Sequence, residues 1–400
     1  MRILYYKLRA FGVKCLLRFL PRNQPLVFTG PGSSRALCRQ ISLLGHSTIL
    51  LVTDEVLHSS GILNDIKQTL TGLGIGFHVF DGVRTDPAFE QVMQGEKILC
   101  SARCEAILAV GGGSVIDAAK LISLLHTNPG DLASFDGIQK ARFRGPPLFV
   151  IPTTAGTGSE ITPAAVITDD RTQRKVVVAD GKAVPDFIAI DAELMKSMPP
   201  QVTAATGMDA LTHAVESYLS RASSPATRIQ ARTAVKLIFG HLVQAWNNGD
   251  DITAREAMAM ASFYAGSAFG RTSVGYAHGI AHQLGRVCGT PHGEANAMVL
   301  PEVLSAYGHC VHSRLAELAL AVGLDRASAT DEELASRFIQ RISDMRRVMQ
   351  MPESPNGLDP HHVNDIVKEA IAETGSLYPV PRYISSRELR GIVGDLAAKS

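Results

Sequence analysis

The stretch that decides the reading is residues 275–296, GYAHGIAHQLGRVCGTPHGEAN. It places His278, His282 and His292 within 15 residues. His278 and His282 are four apart and share one face if the segment is helical. His292 follows Pro291, which suits a chain turn or a helix start rather than a helix interior. Upstream, TGMDALTHAVES (206–217) holds a second pair at the same spacing, Asp209 and His213. Two helices thus each offer a two-residue face, and a turn adds another imidazole. One carboxylate with two or three imidazoles is a hard-to-borderline ligand set. It suits Fe(II), Zn(II) or a similar divalent ion better than Ca(II) or Cu(I). Among 13 histidines some such pairs arise by chance, so ordinary helix packing stays open until the rest of the chain is read.

Working outward, residues 25–195 alternate strand-like and helix-like patterns. PLVFTG, STILLVTD, IGFHVFDGV, AILAVGGG and PLFVIPTT read as strands, with helices expected near 36–44, 62–70, 87–101 and 114–126. Apolar strands separated by helices imply a parallel sheet covered on both faces. Ligands of such sheets bind beyond the carboxyl ends of the strands. Two of those ends carry signals. AVGGGSVIDAAK (109–120) puts Gly111, Gly112, Gly113 and Ser114 between a strand and a helix, where bare backbone and free N–H groups suit a diphosphate. It is neither GxGxxG nor a P-loop. Asp117, one turn on, is either a partner of the helix N-terminus or a cofactor contact. IPTTAGTGSE (151–160) crowds Thr153, Thr154 and Thr157 into the next such turn. Two loops of this kind in one sheet point to a nucleotide. Asp54, at the end of a third strand, suits a ribose 2′-OH and would repel a 2′-phosphate, which favours NAD over NADP.

A hairpin is expected at 169–174. After residue 195 strand patterns vanish and Ala-rich helical periodicity takes over, as in 229–246. The expected organisation is a 23–195 α/β NAD-binding domain and a 196–400 helical domain carrying the Asp/His pairs, with the reaction site in the cleft between them. His309, His312, His361 and His362 read as surface residues.

Composition bounds the remainder. Hydrophobic residues make up 46% and charged residues 19% of 400, which describes an ordinary globular chain of about two domains. A net charge of +1 gives no electrostatic case for nucleic acid. Six scattered cysteines without a CxxC fit reduced thiols in the cytoplasm. Charge is uneven: residues 1–22 carry six basic side chains and no acid, leaving 33 basic against 38 acidic beyond them, net −5. Leu4, Leu8, Phe11, Cys15 and Phe19 form a helical stripe there. This basic amphipathic helix fits either packing on protein or peripheral contact with an anionic membrane.

The ordered set GGGSVIDAAK, PTTAGTGSE, GMDALTHAVES and GYAHGIAHQLG…TPHGEANA resembles the iron-dependent (group III) alcohol dehydrogenases over about residues 25–400. The resemblance implies an N-terminal dinucleotide-binding α/β domain with a parallel sheet and an all-α C-terminal metal-binding domain, the dehydroquinate synthase-like architecture, in a homodimer. It implies Asp209, His213, His278 and His292 as ligands of Fe(II), with Zn(II) possible, and His282 beside the nicotinamide. It places Gly111–Ser114 and Asp117 at the NAD diphosphate, Thr153, Thr154 and Thr157 along the cofactor cleft, Lys175 near a ribose and Asp54 at the adenosine ribose. The expected reaction is hydride transfer between an alcohol or diol, or its aldehyde, and NAD(H). A metal-free maleylacetate-type reductase and a metal-dependent lyase of the dehydroquinate synthase type are the alternatives. Arg271, Cys288, Ala164 and Ala165 depart from commoner members, as does the basic N-terminal extension.

Overall fold

The computed structural model describes residues 24–172 and 174–399, the side chains of Ser376 and Leu377 aside. The expected helix in residues 1–22 lies outside the described residues. The chain divides into two compact units, 24–197 and 198–399 among the described residues.

In the first unit the elements run β1 (Leu26–Thr29), α1 (Ser33–Leu43), β2 (Thr48–Val52), α2 (Glu55–Ser59), α3 (Asn64–Gly72), β3 (Gly76–Phe80), α4 (Phe89–Ser101), β4 (Ala106–Gly111) and α5 (Gly113–Thr127). They continue as β5 (Gly137–Ile138), β6 (Leu148–Pro152), β7 (Ala164–Asp169), β8 (Arg174–Ala179) and β9 (Phe187–Ile190). Six strands pair in the order β1-β9-β6-β4-β2-β3, every pairing parallel. Strands β4 and β6 are buried from end to end, as a sheet covered on both faces requires. Their side chains alternate between two cores. Ile49, Leu51, Leu108, Val110, Phe149 and Ile151 pack with α1 and α3 on one face. Leu50, Val52, Ile107, Ala109, Leu148 and Val150 pack with α4 and α5 on the other. The strand order turns back between β2 and β4, because β3 lies beyond β2 while β4 returns to its other side. That switch point is where such sheets open a crevice for ligands. The hairpin expected at 169–174 joins β7 and β8, and with β5 it forms a separate three-stranded sheet of which the sequence patterns showed only the hairpin.

The second unit is helical: α6 (Pro200–Leu219), α7 (Pro225–Asn247), α8 (Ile252–Thr272), α9 (Tyr276–Cys288), α10 (His292–Tyr307), α11 (His309–Ala321), α12 (Asp331–Val348), α13 (Val363–Leu377) and α14 (Ser386–Ala398). Local chemistry sets the ends. Pro200 starts α6, and a Ser224–Thr227 capping box with Pro225 starts α7. Gly289 ends α9 in the left-handed region at φ 65°, and Pro291 launches α10 with His292 as its first residue. Gly293, next to that histidine, lies against the Ala205 carbonyl of α6, where a Cβ would overlap backbone.

This contact generates a paired prediction. Gly293→Ala should destabilise the protein by about 1–3 kcal/mol, since backbone cannot yield as a side chain can. Gly240→Ala, mid-helix in α7 with nothing within 4 Å, should stabilise it by about 0.5–1 kcal/mol. Denaturant unfolding of both variants measures this; equal behaviour would contradict the packing described.

Candidate functional site

Helices α6, α9 and α10 bring one carboxylate and several imidazoles together. Asp209, on α6, is 2% exposed. Its Oδ1 lies 3.6 Å from His278 Nε2 and 3.4 Å from His292 Nε2. The ligand atoms of Asp209, His278 and His292 all lie within 4.8 Å of one another. His213, one turn after Asp209, stands at the edge of this cluster: its Nδ1 is 3.9 Å from Asp209 Oδ2, and its ring stacks on Phe269 and His278. His282 shares the α9 face with His278 and stacks on His292, with ring centroids 5.2 Å apart. Its Nδ1 is 2.7 Å from Glu373 Oε1, and Glu373 also accepts from Tyr378 and Gln283.

Electrostatics fit a cation here. Burial alone would raise the Asp209 carboxyl, but His213, His292 and His278 outweigh it and hold it well below the usual carboxylate range. Burial likewise disfavours the His278 cation, yet Glu216 and Asp209 push its pKa up to about 9. A divalent ion at Nε2 would take the place of that proton. His278 Nε2 is buried without a hydrogen-bond partner, and 3.6 Å is too long for one. An N/O donor set around an orphaned buried imidazole nitrogen suits iron or zinc.

Sequence reasoning missed two members. Asn296, fully buried one turn after His292, donates from Nδ2 to Asp209 Oδ1 at 2.8 Å and lies 3.2 Å from His292 Nε2. Glu216, one turn after His213, lies 2.7 Å from His278 Nδ1. Their spacings of four from His292 and seven from Asp209 put them on the same helix stripes, but what they bond to depends on how the helices meet. His309, His361 and His362 are exposed and His312 half-buried.

In the α/β unit most of the predicted cofactor residues follow the carboxyl ends of β2, β4 and β6, while Asp117 lies within α5 and Lys175 on β8. Asp54 caps α2, its Oδ1 accepting from the Leu57 amide at 2.9 Å. The two loops approach each other closely at the glycines. A Cβ on Gly112 would stand 3.3 Å from the Thr154 side chain, and one on Gly113 would stand 2.8 Å from that of Thr157. Ser114 follows in the first turn of α5, and Thr153 is 5% exposed. Asp117 is largely buried: its Oδ2 accepts from the Val166 amide at 2.9 Å, and its Oδ1 lies 3.8 Å from Lys120 Nζ. The Lys120 ammonium is fully buried and donates to the Thr162 and Ala164 carbonyls, which pins α5 to the segment entering β7. Lys175, half-exposed on β8, pairs with Asp86 at 2.9 Å.

Residues 25–192 match the family model for iron-containing alcohol dehydrogenase, and residues 203–394 match that for the Fe-containing alcohol dehydrogenase family, C-terminal. The chain is 38% identical to a 1,3-propanediol dehydrogenase of Citrobacter freundii, covering 91% of this chain and 95% of that protein. It is 35% identical to an NAD-dependent methanol dehydrogenase of Bacillus methanolicus, covering 84% and 87%. The solved structure of a 1,3-propanediol oxidoreductase superposes with a TM-score of 0.91 at 33% identity, covering 94% of this chain and all of that one. These relatives favour neither the lyase nor the metal-free reductase. The chain belongs to the iron-containing alcohol dehydrogenase family and is an oxidoreductase that moves a hydride between an alcohol or aldehyde and NAD(H), with iron as its metal.

Proposed function

We propose that Asp209, His213, His278 and His292 hold the metal, Fe(II) with Zn(II) as an alternative occupant, and that the substrate is a short primary alcohol or diol. The convergence of Asp209, His278 and His292 within 4.8 Å carries this reading. The likeness to propanediol and methanol dehydrogenases supports the substrate class. When bound, the metal supplies Lewis acidity at the substrate oxygen, and NAD(H) supplies the hydride chemistry. One carboxylate against three neutral imidazoles leaves a divalent charge half neutralised, which favours negative charge growing on that oxygen. His282, outside the ligand set, relays the substrate proton toward Glu373, with which it shares a 2.7 Å contact.

The two glycine- and threonine-rich loops cradle the cofactor. Gly111, Gly112, Gly113 and Ser114 offer backbone N–H groups and a hydroxyl to the diphosphate at the start of α5. Thr153, Thr154 and Thr157 line the facing wall. Asp54 holds the adenosine ribose, and Lys175 lies near a cofactor ribose. Asp117 acts from behind the diphosphate loop, because its carboxylate is engaged by Val166 and Lys120.

We further infer a cytoplasmic homodimer; the basic amphipathic stretch 1–22 suits packing on protein as well as peripheral contact with an anionic membrane. Every cysteine among the described residues is free, and no described helix is long and apolar enough to cross a membrane.

Two outcomes follow. Anaerobically prepared protein should oxidise short alcohols or diols with NAD reduction, and His278→Ala should lose bound metal and turnover together; turnover retained without metal contradicts the ligand assignment. Gly113→Val should weaken NAD binding at least tenfold by titration calorimetry while leaving metal content unchanged; unaltered NAD affinity contradicts the cradle.

A further inference from the structure

Glu216 is a buried carboxylate that neither the proposed ligand set nor the cofactor loops use. It lies on α6 seven residues after Asp209 and three after His213, so the three ride one stripe of the helix. Its side chain is 3% exposed, and its ion-pair partner among the described residues is His278. Three N–H groups converge on it. The Gly275 amide donates to Oε2 at 2.7 Å, the Ala277 amide to Oε1 at 2.8 Å, and His278 Nδ1 lies 2.7 Å from Oε2.

The turn before α9 is shaped around this carboxylate. Ser273 adopts φ 59° with ψ −173°, a conformation that L-residues rarely visit. A Cβ on Gly275 would stand 2.6 Å from Glu216 Oε1. A strained serine and a bare glycine therefore let two amides reach one carboxylate, which caps the N-terminus of α9 from another helix.

A cap alone would need only those amides. The third contact goes to a metal-ligand candidate and fixes its chemistry. A carboxylate that already accepts two amide hydrogens is an acceptor, so His278 Nδ1 must be the donor. The nitrogen left to bind a metal is Nε2, and that is the buried, unbonded atom 3.6 Å from Asp209 Oδ1. We propose that Glu216 is a positioning residue of the metal centre: it holds His278 in the Nδ1–H form, aims Nε2 at Asp209 and thereby tightens metal binding. This inference rests on the metal assignment proposed above.

The test uses the full chain, with Zn(II) competed against a chromogenic chelator. Glu216→Gln should weaken zinc binding by about 10- to 100-fold, because the amide NH₂ must face one of three N–H donors. His278→Ala, measured alongside, separates the two claims. If His278→Ala leaves affinity intact, the metal assignment fails. If it lowers affinity but Glu216→Gln stays within twofold of wild type, the positioning role fails. Glu216→Asp keeps the charge but withdraws it by one methylene, and serves the same comparison should the Gln variant not fold. A wild-type measurement needs no variant fold: nitrogen-15 histidine spectra of the zinc-loaded protein should show a protected Nδ1–H on His278, and zinc ligation through Nδ1 would overturn the proposal.

Discussion

The structure of the helical unit depends on one costly element, the buried charge of Asp209. A carboxylate removed from water must be matched by donors and opposite charge. Here three helices supply them. Helix α6 carries Asp209 and His213, α9 begins at Tyr276 so that His278 faces the carboxylate, and α10 begins at His292 with Asn296 one turn on. The imidazoles hold Asp209 ionised, and the bare Gly293 against Ala205 lets α10 approach α6 closely enough for His292 to join. Packing, capping and charge thus agree on the same point. Such agreement between levels is what makes a buried polar cluster tolerable.

The α/β unit solves a different problem. Its parallel strands must bury both faces yet leave their carboxyl ends open to a polar ligand. Continuous apolar strands satisfy the first demand, and two loops of glycine, serine and threonine satisfy the second. The glycines matter because each side chain they lack would meet a neighbour: Val115 of α5 for Gly111, and Thr154 and Thr157 of the facing loop for Gly112 and Gly113. Behind them, the buried Lys120 ammonium ties α5 to the chain entering β7. Burial pushes the Lys120 pKa down and that of Asp117 up, and their mutual attraction opposes both shifts.

Much of this was legible in the sequence. ILLV, AILAV and LFVI announce strands buried on both faces, and the i,i+4 pairs announce helices that converge. Gly289 and Pro291 mark the break that places His292. Other features lack local signatures. Strands β7 and β8 alternate between buried and exposed positions, and β5 has two residues, so the second sheet was only half visible as a hairpin. Helix α2 spans five residues behind the Asp54 cap, too few for a periodic pattern. Glu216 and Asn296 are single polar residues on helices, and their roles appear only when the helices meet. Asp117 could be placed beside the diphosphate loop from sequence, but its commitment to Val166 depends on a strand almost fifty residues away.

The central claim is that one carboxylate and its surrounding imidazoles form the iron site. Crystals of anaerobically iron-loaded protein, with diffraction recorded on both sides of the iron absorption edge, test it most directly. The account predicts one strong anomalous peak per chain, within bonding distance of Asp209, His213, Nε2 of His278 and Nε2 of His292. A peak elsewhere, or none at that point in protein that contains stoichiometric iron, would contradict it.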